Sequence, residues 1–148
     1  MGLKIFIIED DPTYSKILSF RLKNDGHKEL ILYDSGESSL QHIREKPDLV
    51  LLDFSLKGLN GLDTLLQIKK ESPKSEVIVL TGLDSQKVAD ECKNAGALEF
   101  LNKEEEAILK ILELAKDLEK KKSKSANRLV LGVLVAVVLI IFLLVFLF

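Results

Sequence analysis

The sequence predicts an α/β fold: a five-stranded parallel sheet with helices on both faces, followed by one apolar helix of membrane length. Three observations carry this. Apolar runs of strand length recur at Ile5-Phe6-Ile7-Ile8, Leu49-Val50-Leu51-Leu52 and Val77-Ile78-Val79-Leu80, with shorter candidates at residues 29–33 and 97–101. The long runs are continuous, as expected for strands buried on both faces of a parallel sheet rather than half-exposed ones. Helical spacings separate them, so strand and helix alternate five times, which calls for right-handed crossovers.

The first helix is read from Tyr14, Ile17, Leu18 and Leu22, with Asp11 as cap and Pro12 in the first turn. Leu62, Leu65, Leu66 and Ile68 follow Gly58 and Gly61. Val88, Ala89 and Cys92 sit between Asp84-Ser85 and Gly96. The last stripe, Ile108, Ile111, Leu112, Ala115 and Leu118, is opened by Asn102 with Glu105 three residues later, a capping-box pattern. Lys46-Pro47 and Ser72-Pro73 act as punctuation.

Residues 129–148 carry no charge and have no polar face. At ~1.5 Å per residue a helix of that length covers ~30 Å, the thickness of a bilayer's hydrocarbon core. The expected organisation is a domain at residues 1–120, a basic juxtamembrane linker at 121–128 and a transmembrane helix at 129–148. The linker region and Lys120 hold five cations, Lys120, Lys121, Lys122, Lys124 and Arg128, with no acid among them. Positive residues beside a span favour the cytoplasmic side, so the expectation is a single-pass protein of the cell membrane, its domain cytoplasmic and Phe148 near the far face. The cations either form a solvated linker or add attraction to anionic lipid, and the two are compatible. The N-terminus enters a strand pattern without the order of regions of a signal peptide.

The net charge of −2 hides an asymmetry, since all 23 acids but only 16 of the 21 basic residues lie within residues 1–119. An acidic domain argues against nucleic acid as a partner, because phosphate neutralisation needs clustered lysine and arginine. The single cysteine, Cys92, excludes an internal disulfide and reads as a small packing residue. His27 and His42 lack ligand spacing and read as surface residues.

In open parallel sheets ligands bind beyond the carboxyl ends of the strands. Strand one ends in Glu9-Asp10-Asp11, strand three in Asp53, strand four in Thr81, and Lys103 follows strand five. Carboxylates gathered on one rim repel one another and are best tolerated around a hard cation, for which Mg²⁺ is the natural candidate. A lysine and a threonine on the same rim suit an anionic oxygen group. Together they describe phosphoryl transfer with a carboxylate as acceptor. Lys103 stands at a helix start, where a cation opposes the dipole, so something else favours it there.

These motifs, with Gly61 eight residues after Asp53 and Phe100-Leu101-Asn102-Lys103 at strand five, resemble the receiver domain of two-component response regulators over residues 3–120. The resemblance implies the flavodoxin-like (βα)5 three-layer sandwich with strand order 2-1-3-4-5. It implies that Asp53 accepts a phosphoryl group from a histidine kinase or phosphotransfer protein. Glu9, Asp10, Asp53 and the backbone carbonyl of Ser55 would hold Mg²⁺, Lys103 would contact the phosphoryl group, and Thr81 and Phe100 would respond to it. Phe100 reads equally as plain core. Such domains catalyse only their own phosphorylation and dephosphorylation, so the chain is not expected to be an enzyme in the ordinary sense.

Two positions depart from the family pattern. Glu104 replaces the proline that usually follows the lysine in a cis peptide, so a trans bond is expected, since a cis bond without proline costs ~2.5–4 kcal/mol. Lys57 stands where the family often has a proline, four residues after the acceptor, which would alter the loop or add a cation near the rim. The expected output is a membrane-proximal partner protein, because no DNA-binding or enzymatic segment accompanies the domain. Gly132-x-x-x-Ala136 offers a small-xxx-small pattern through which two spans would form a homodimer. The competing expectation is a pseudo-receiver, a scaffold of the same fold working without phosphate. A haloacid-dehalogenase-like phosphatase would want an aspartate where Ser55 stands.

Overall fold

The computed structural model describes residues 2–82 and 85–147. Asp84, read as part of the lead-in to the fourth helix, and Phe148 lie outside the described residues.

The continuous apolar runs form a parallel sheet. Its strands are β1 (Lys4–Ile8), β2 (Glu29–Tyr33), β3 (Leu49–Asp53), β4 (Glu76–Thr81) and β5 (Glu99–Asn102). They lie in the order β2-β1-β3-β4-β5, all neighbours parallel. Alternate side chains sort the core into two layers. Ile5, Ile7, Leu49, Leu51, Ile78 and Leu80 pack against Leu18 and Leu22 of α1 (Pro12–Asn24) and Ile108, Ile111 and Ala115 of α5 (Glu105–Leu147). Phe6, Ile8, Val50, Leu52, Val77 and Val79 face the other way, onto Leu65 and Ile68 of α3 (Gly61–Glu71) and Cys92 of α4 (Gln86–Asn94). Ile43 joins that layer from a 3-10 turn (Ile43–Glu45) that follows the short α2 (Gly36–Leu40). The three-layer sandwich is the expected one.

Local chemistry sets the element ends. Asp11 caps α1, its Oδ1 accepting from the Thr13 N–H at 2.8 Å and the Tyr14 N–H at 3.4 Å. Asn60 caps α3 through Asp63 N–H at 2.9 Å. Helices α1 and α4 close alike: Gly26 (φ 100°) and Gly96 (φ 98°) take the left-handed backbone, and the next residue's N–H reaches back into the helix. Those bonds are His27 N–H to Leu22 O and Ala97 N–H to Cys92 O, both 3.0 Å.

This closure corrects two expectations. His27 is not a surface residue but 3 % exposed, because the reversal folds it back over the helix end. Strand five begins at Glu99 rather than residue 97, since the Ala97 N–H is already committed to α4. A third correction concerns Asn102. It is the last residue of β5, paired with Thr81, and α5 starts at Glu105. The sheet takes the residue that the capping pattern assigned to the helix.

Helix α5 runs 43 residues without a break, so the basic linker read at residues 121–128 is helical and continuous with both neighbours. Nothing from Glu105 to Leu131 is glycine or proline, and its lysines and leucines are good helix formers. Contact with the sandwich also passes the boundary expected at residue 120: Lys122 Nζ bonds Asp48 Oδ2 at 2.7 Å and Gly2 O at 3.1 Å. Beyond it the apolar side chains are exposed, and the helix is long and apolar enough to cross a membrane.

Candidate functional site

The carboxyl ends of β1, β3, β4 and β5 meet at one rim. There the sequence turns from apolar to polar, at or just past the last residue of each strand. Glu9 and Asp10 follow β1, Asp53 closes β3, Thr81 closes β4, and Lys103 follows β5. One carboxylate oxygen from each of Glu9, Asp10 and Asp53 lies within 4.8 Å of the others. Glu9 and Asp53 are each 3 % exposed, which makes their charge costly unless it is paired.

Lys103 supplies the pairing. Its Nζ lies 2.7 Å from Glu9 Oε2, 3.0 Å from Glu9 Oε1 and 3.1 Å from Asp53 Oδ2. Two backbone donors add to it: Asp11 N–H reaches Glu9 Oε1 at 3.2 Å and Ser55 N–H reaches Asp53 Oδ1 at 3.0 Å. Ser55 therefore sits in the turn that orients Asp53. Burial raises Glu9 above the usual carboxylate range against the hydrogen bond from Lys103, and the Asp53 charge adds to the rise. For Lys103, burial alone would lower the pKa, but hydrogen bonds to Glu9 and Asp53 outweigh it, and the ammonium is held charged. Oε2 of Glu9 has this close ion-pair contact but accepts no well-directed hydrogen bond. A buried oxygen with spare acceptor capacity is a good neighbour for a hydrated cation.

Thr81 is fully buried at the strand end, its carbonyl accepting the Lys103 N–H at 2.7 Å. That bond carries the chain from β5 back over the rim. The Lys103–Glu104 peptide is trans, as expected, and the lysine still reaches both acids. Lys57 Nζ lies 3.7 Å from Asp10 Oδ2, bearing out a cation near the rim. Among the described residues, a Cβ at Gly82 would meet nothing within 4 Å. At Gly61 the reverse holds: a Cβ would stand 2.5 Å from Phe54 Cα and 2.8 Å from Asp53 O, so the loop after Asp53 closes only over glycine. Phe100 packs edge-on against Phe54, centroids 6.4 Å apart, beside the α3–α4 layer.

Two residues of the site were not singled out from sequence. Tyr14, one residue of the α1 stripe, places its ring 4.9 Å beneath the Lys103 ammonium. Phe54 looked like one more apolar residue after a strand. Neither has a signal in sequence, because both roles depend on elements packed from elsewhere.

Three oxygen-donor groups converging at one rim, two buried and one partly exposed, fit a hard divalent cation better than a soft one. Receiver domains bind Mg²⁺ at an acidic pocket of this kind. The sequence model of the response regulator receiver domain matches residues 5–115. Protein PilH of Pseudomonas aeruginosa is 34 % identical over 113 residues, which span 74 % of this chain and 93 % of PilH. The transcriptional regulatory protein ZraR of Salmonella typhimurium is 34 % identical over 102 residues, 68 % of this chain but 23 % of ZraR, so the chain spans about a quarter of that longer regulator. Among solved structures, a CheY-like receiver domain from Methanospirillum hungatei is 25 % identical with a TM-score of 0.72, covering 82 % of this chain and 99 % of that one. The BeF3-activated receiver domain of DrrB is 27 % identical with a TM-score of 0.73, covering 81 % and 99 %. With the sheet order, the acidic rim and the matched span in agreement, the chain belongs to the response regulator receiver domain family.

Proposed function

We propose that this protein is a membrane-tethered receiver that accepts a phosphoryl group on Asp53 from a histidine kinase or phosphotransfer protein and signals by binding a partner near the membrane. The observation that carries the reading is the convergence of Glu9, Asp10 and Asp53 with Lys103 between two of them. An oxygen of Asp53 attacks the donor phosphorus, the nitrogen–phosphorus bond of a phosphohistidine breaks, and its electron pair leaves with the imidazole. The product is an acyl phosphate. Mg²⁺ held by Glu9, Asp10, Asp53 and the Ser55 carbonyl would neutralise the transferring charge. Lys103, already 3.1 Å from Asp53 Oδ2, would move its hydrogen bond onto the phosphoryl oxygens. The buried Thr81 at the end of β4 and Phe100 on the neighbouring β5 are the residues whose repacking would carry the change to α4 and β5. Gly82, where a Cβ would meet none of the described residues within 4 Å, would let water reach the acyl phosphate, making its loss self-catalysed.

The tether is supported by the apolar, exposed end of α5 and the cations ahead of it. It would hold the receiver on the cytoplasmic side, at high effective concentration relative to a membrane partner. Gly132, with open space around it, and Ala136 offer a face on which two spans pair.

The test joins beryllofluoride, Mg²⁺ and Asp53→Asn. Tyr14 and Tyr33 are the only tyrosines and tryptophan is absent, so amide spectra of α4 and β5 are the readout. A change that needs both additives and vanishes in Asp53→Asn supports the phosphoacceptor. No change at all favours a phosphate-independent scaffold. Resistance of the full chain to alkaline extraction from membranes, lost on truncation after Arg128, tests the tether.

A further inference from the structure

The pole of the sheet opposite the carboxylate rim holds a cleft of about 640 Å³, bounded by the residues ahead of β1, β3 and β4 and by α5. Lys46, Lys74, Lys121 and Lys122 line it. Lys122 is tied to Asp48 at 2.7 Å, and the lining Glu71 faces Arg44 at 3.8 Å. Among the described residues Lys46, Lys74 and Lys121 make no ion pair, against one lining carboxylate, Glu76, in the same condition. The cleft therefore carries surplus positive charge on a domain that is acidic as a whole.

Lys46 adds an independent sign. It closes the 3-10 turn with φ 54°, the one left-handed residue other than glycine among those described. Glycine or asparagine fits that backbone better, so lysine stands there at some conformational cost.

Position identifies the occupant. Helix α5 runs past this pole without a break into its apolar segment. From Lys122 to Leu129 is seven residues, ~10 Å of helix. A headgroup layer occupies roughly 5–8 Å on each side of the hydrocarbon core. Long lysine side chains span the remainder, as they do at interfaces generally.

We propose that this cleft docks the phosphate of an anionic lipid, so that the receiver stands on the membrane by the pole opposite its phosphoryl site. The inference rests on the tethered reading above. It holds the acidic rim away from the like-charged bilayer surface, ~36 Å along α5 from the start of the apolar segment, so a phosphodonor would arrive from the bulk side.

The experiment is amide hydrogen exchange on the full chain in nanodiscs of phosphatidylcholine with or without phosphatidylglycerol. Co-elution with the neutral discs first checks insertion, and failure there overturns the tether and the docking site together. With insertion established, phosphatidylglycerol is expected to slow exchange at residues 45–48 and 72–76 while leaving the 54–60 rim loop unchanged. The effect should fade at high salt, as the Debye length falls to about 3 Å at 1 M. Lys46→Asn with Lys74→Gln should abolish the lipid-dependent protection without affecting insertion. Protection independent of phosphatidylglycerol, or retained in the double variant, overturns the docking site alone. So does protection reproduced by inorganic phosphate over neutral discs.

Discussion

Lys103 holds Asp53 through a 3.1 Å contact to Oδ2 while also touching Glu9 at 2.7 Å, so one ammonium joins the ends of β1, β3 and β5. The bridge neutralises much of the charge that a buried pair of acids would otherwise impose on the apo fold. In the proposed reaction it would also place a cation where charge develops on the transferring phosphoryl group.

Lys103→Gln should slow phosphorylation by a small phosphodonor by about 10²-fold, the scale of losing one well-placed oxyanion donor. Mg²⁺ binding should persist, because the three carboxylates remain. Mass spectrometry of the acyl phosphate over time measures the rate. A rate equal to that of the unmodified protein would reduce the lysine to a structural counter-ion.

Glu9 makes the apo protein pH-sensitive. Its folded pKa lies above the ordinary value of 4.5, chiefly through burial. Ionising it therefore costs folded-state stability that is fully imposed above the folded pKa and relieved as pH falls through it toward the unfolded value. Without metal, this group should add stability as pH drops into the window just above the usual carboxylate range. Mg²⁺ competes with the proton, so its affinity should weaken over the same window. Glu9→Gln should raise the Mg²⁺-free melting temperature at neutral pH and shrink the metal-induced rise. Thermal melts against pH, with and without Mg²⁺, decide both.

Gly61→Ala should destabilise the fold by about 1–3 kcal/mol, the range for forcing an atom into a packed site. The added methyl would meet backbone, Phe54 Cα at 2.5 Å and Asp53 O at 2.8 Å, neither of which can step aside alone. Urea unfolding gives the magnitude. Phosphorylation should fall too, since the displaced segment begins at Asp53.

Cys92 offers a clean reporter. It is fully buried on the α3–α4 side, and burial raises its thiol pKa. A disulfide reagent should modify it only through opening of the fold, at a rate that rises with denaturant. Fast modification of the native protein would contradict the packing of α4. Cys92→Ser should cost about 1–3 kcal/mol by leaving a hydroxyl without a partner in the core.

Much of this protein was legible in its sequence because one physical rule is local. A strand covered on both faces is apolar along its length and tolerates a polar side chain only at its rim, so the change from Ile8 to Glu9, from Leu52 to Asp53 and from Leu80 to Thr81 marked the strand ends directly. The α1 cap at Asp11 and the apolar length of the last helix follow in the same way from neighbouring residues.

What needed the tertiary structure were the competitions between elements. Asn102 suited a helix cap, but Thr81 took its backbone for the sheet. His27 looked solvent-bound until the reversal at Gly26 buried it. Tyr14 and Lys103 come from opposite ends of the domain, and no spacing rule joins them. Residues 121–128 were polar enough to read as a linker, yet α5 passes through them unbroken and Lys122 binds Asp48 across the pole. Local preference determined which residues could form each element and where it would end. Packing decided which of two satisfiable partners each backbone and charge received, because that choice depends on neighbours the chain brings together only on folding.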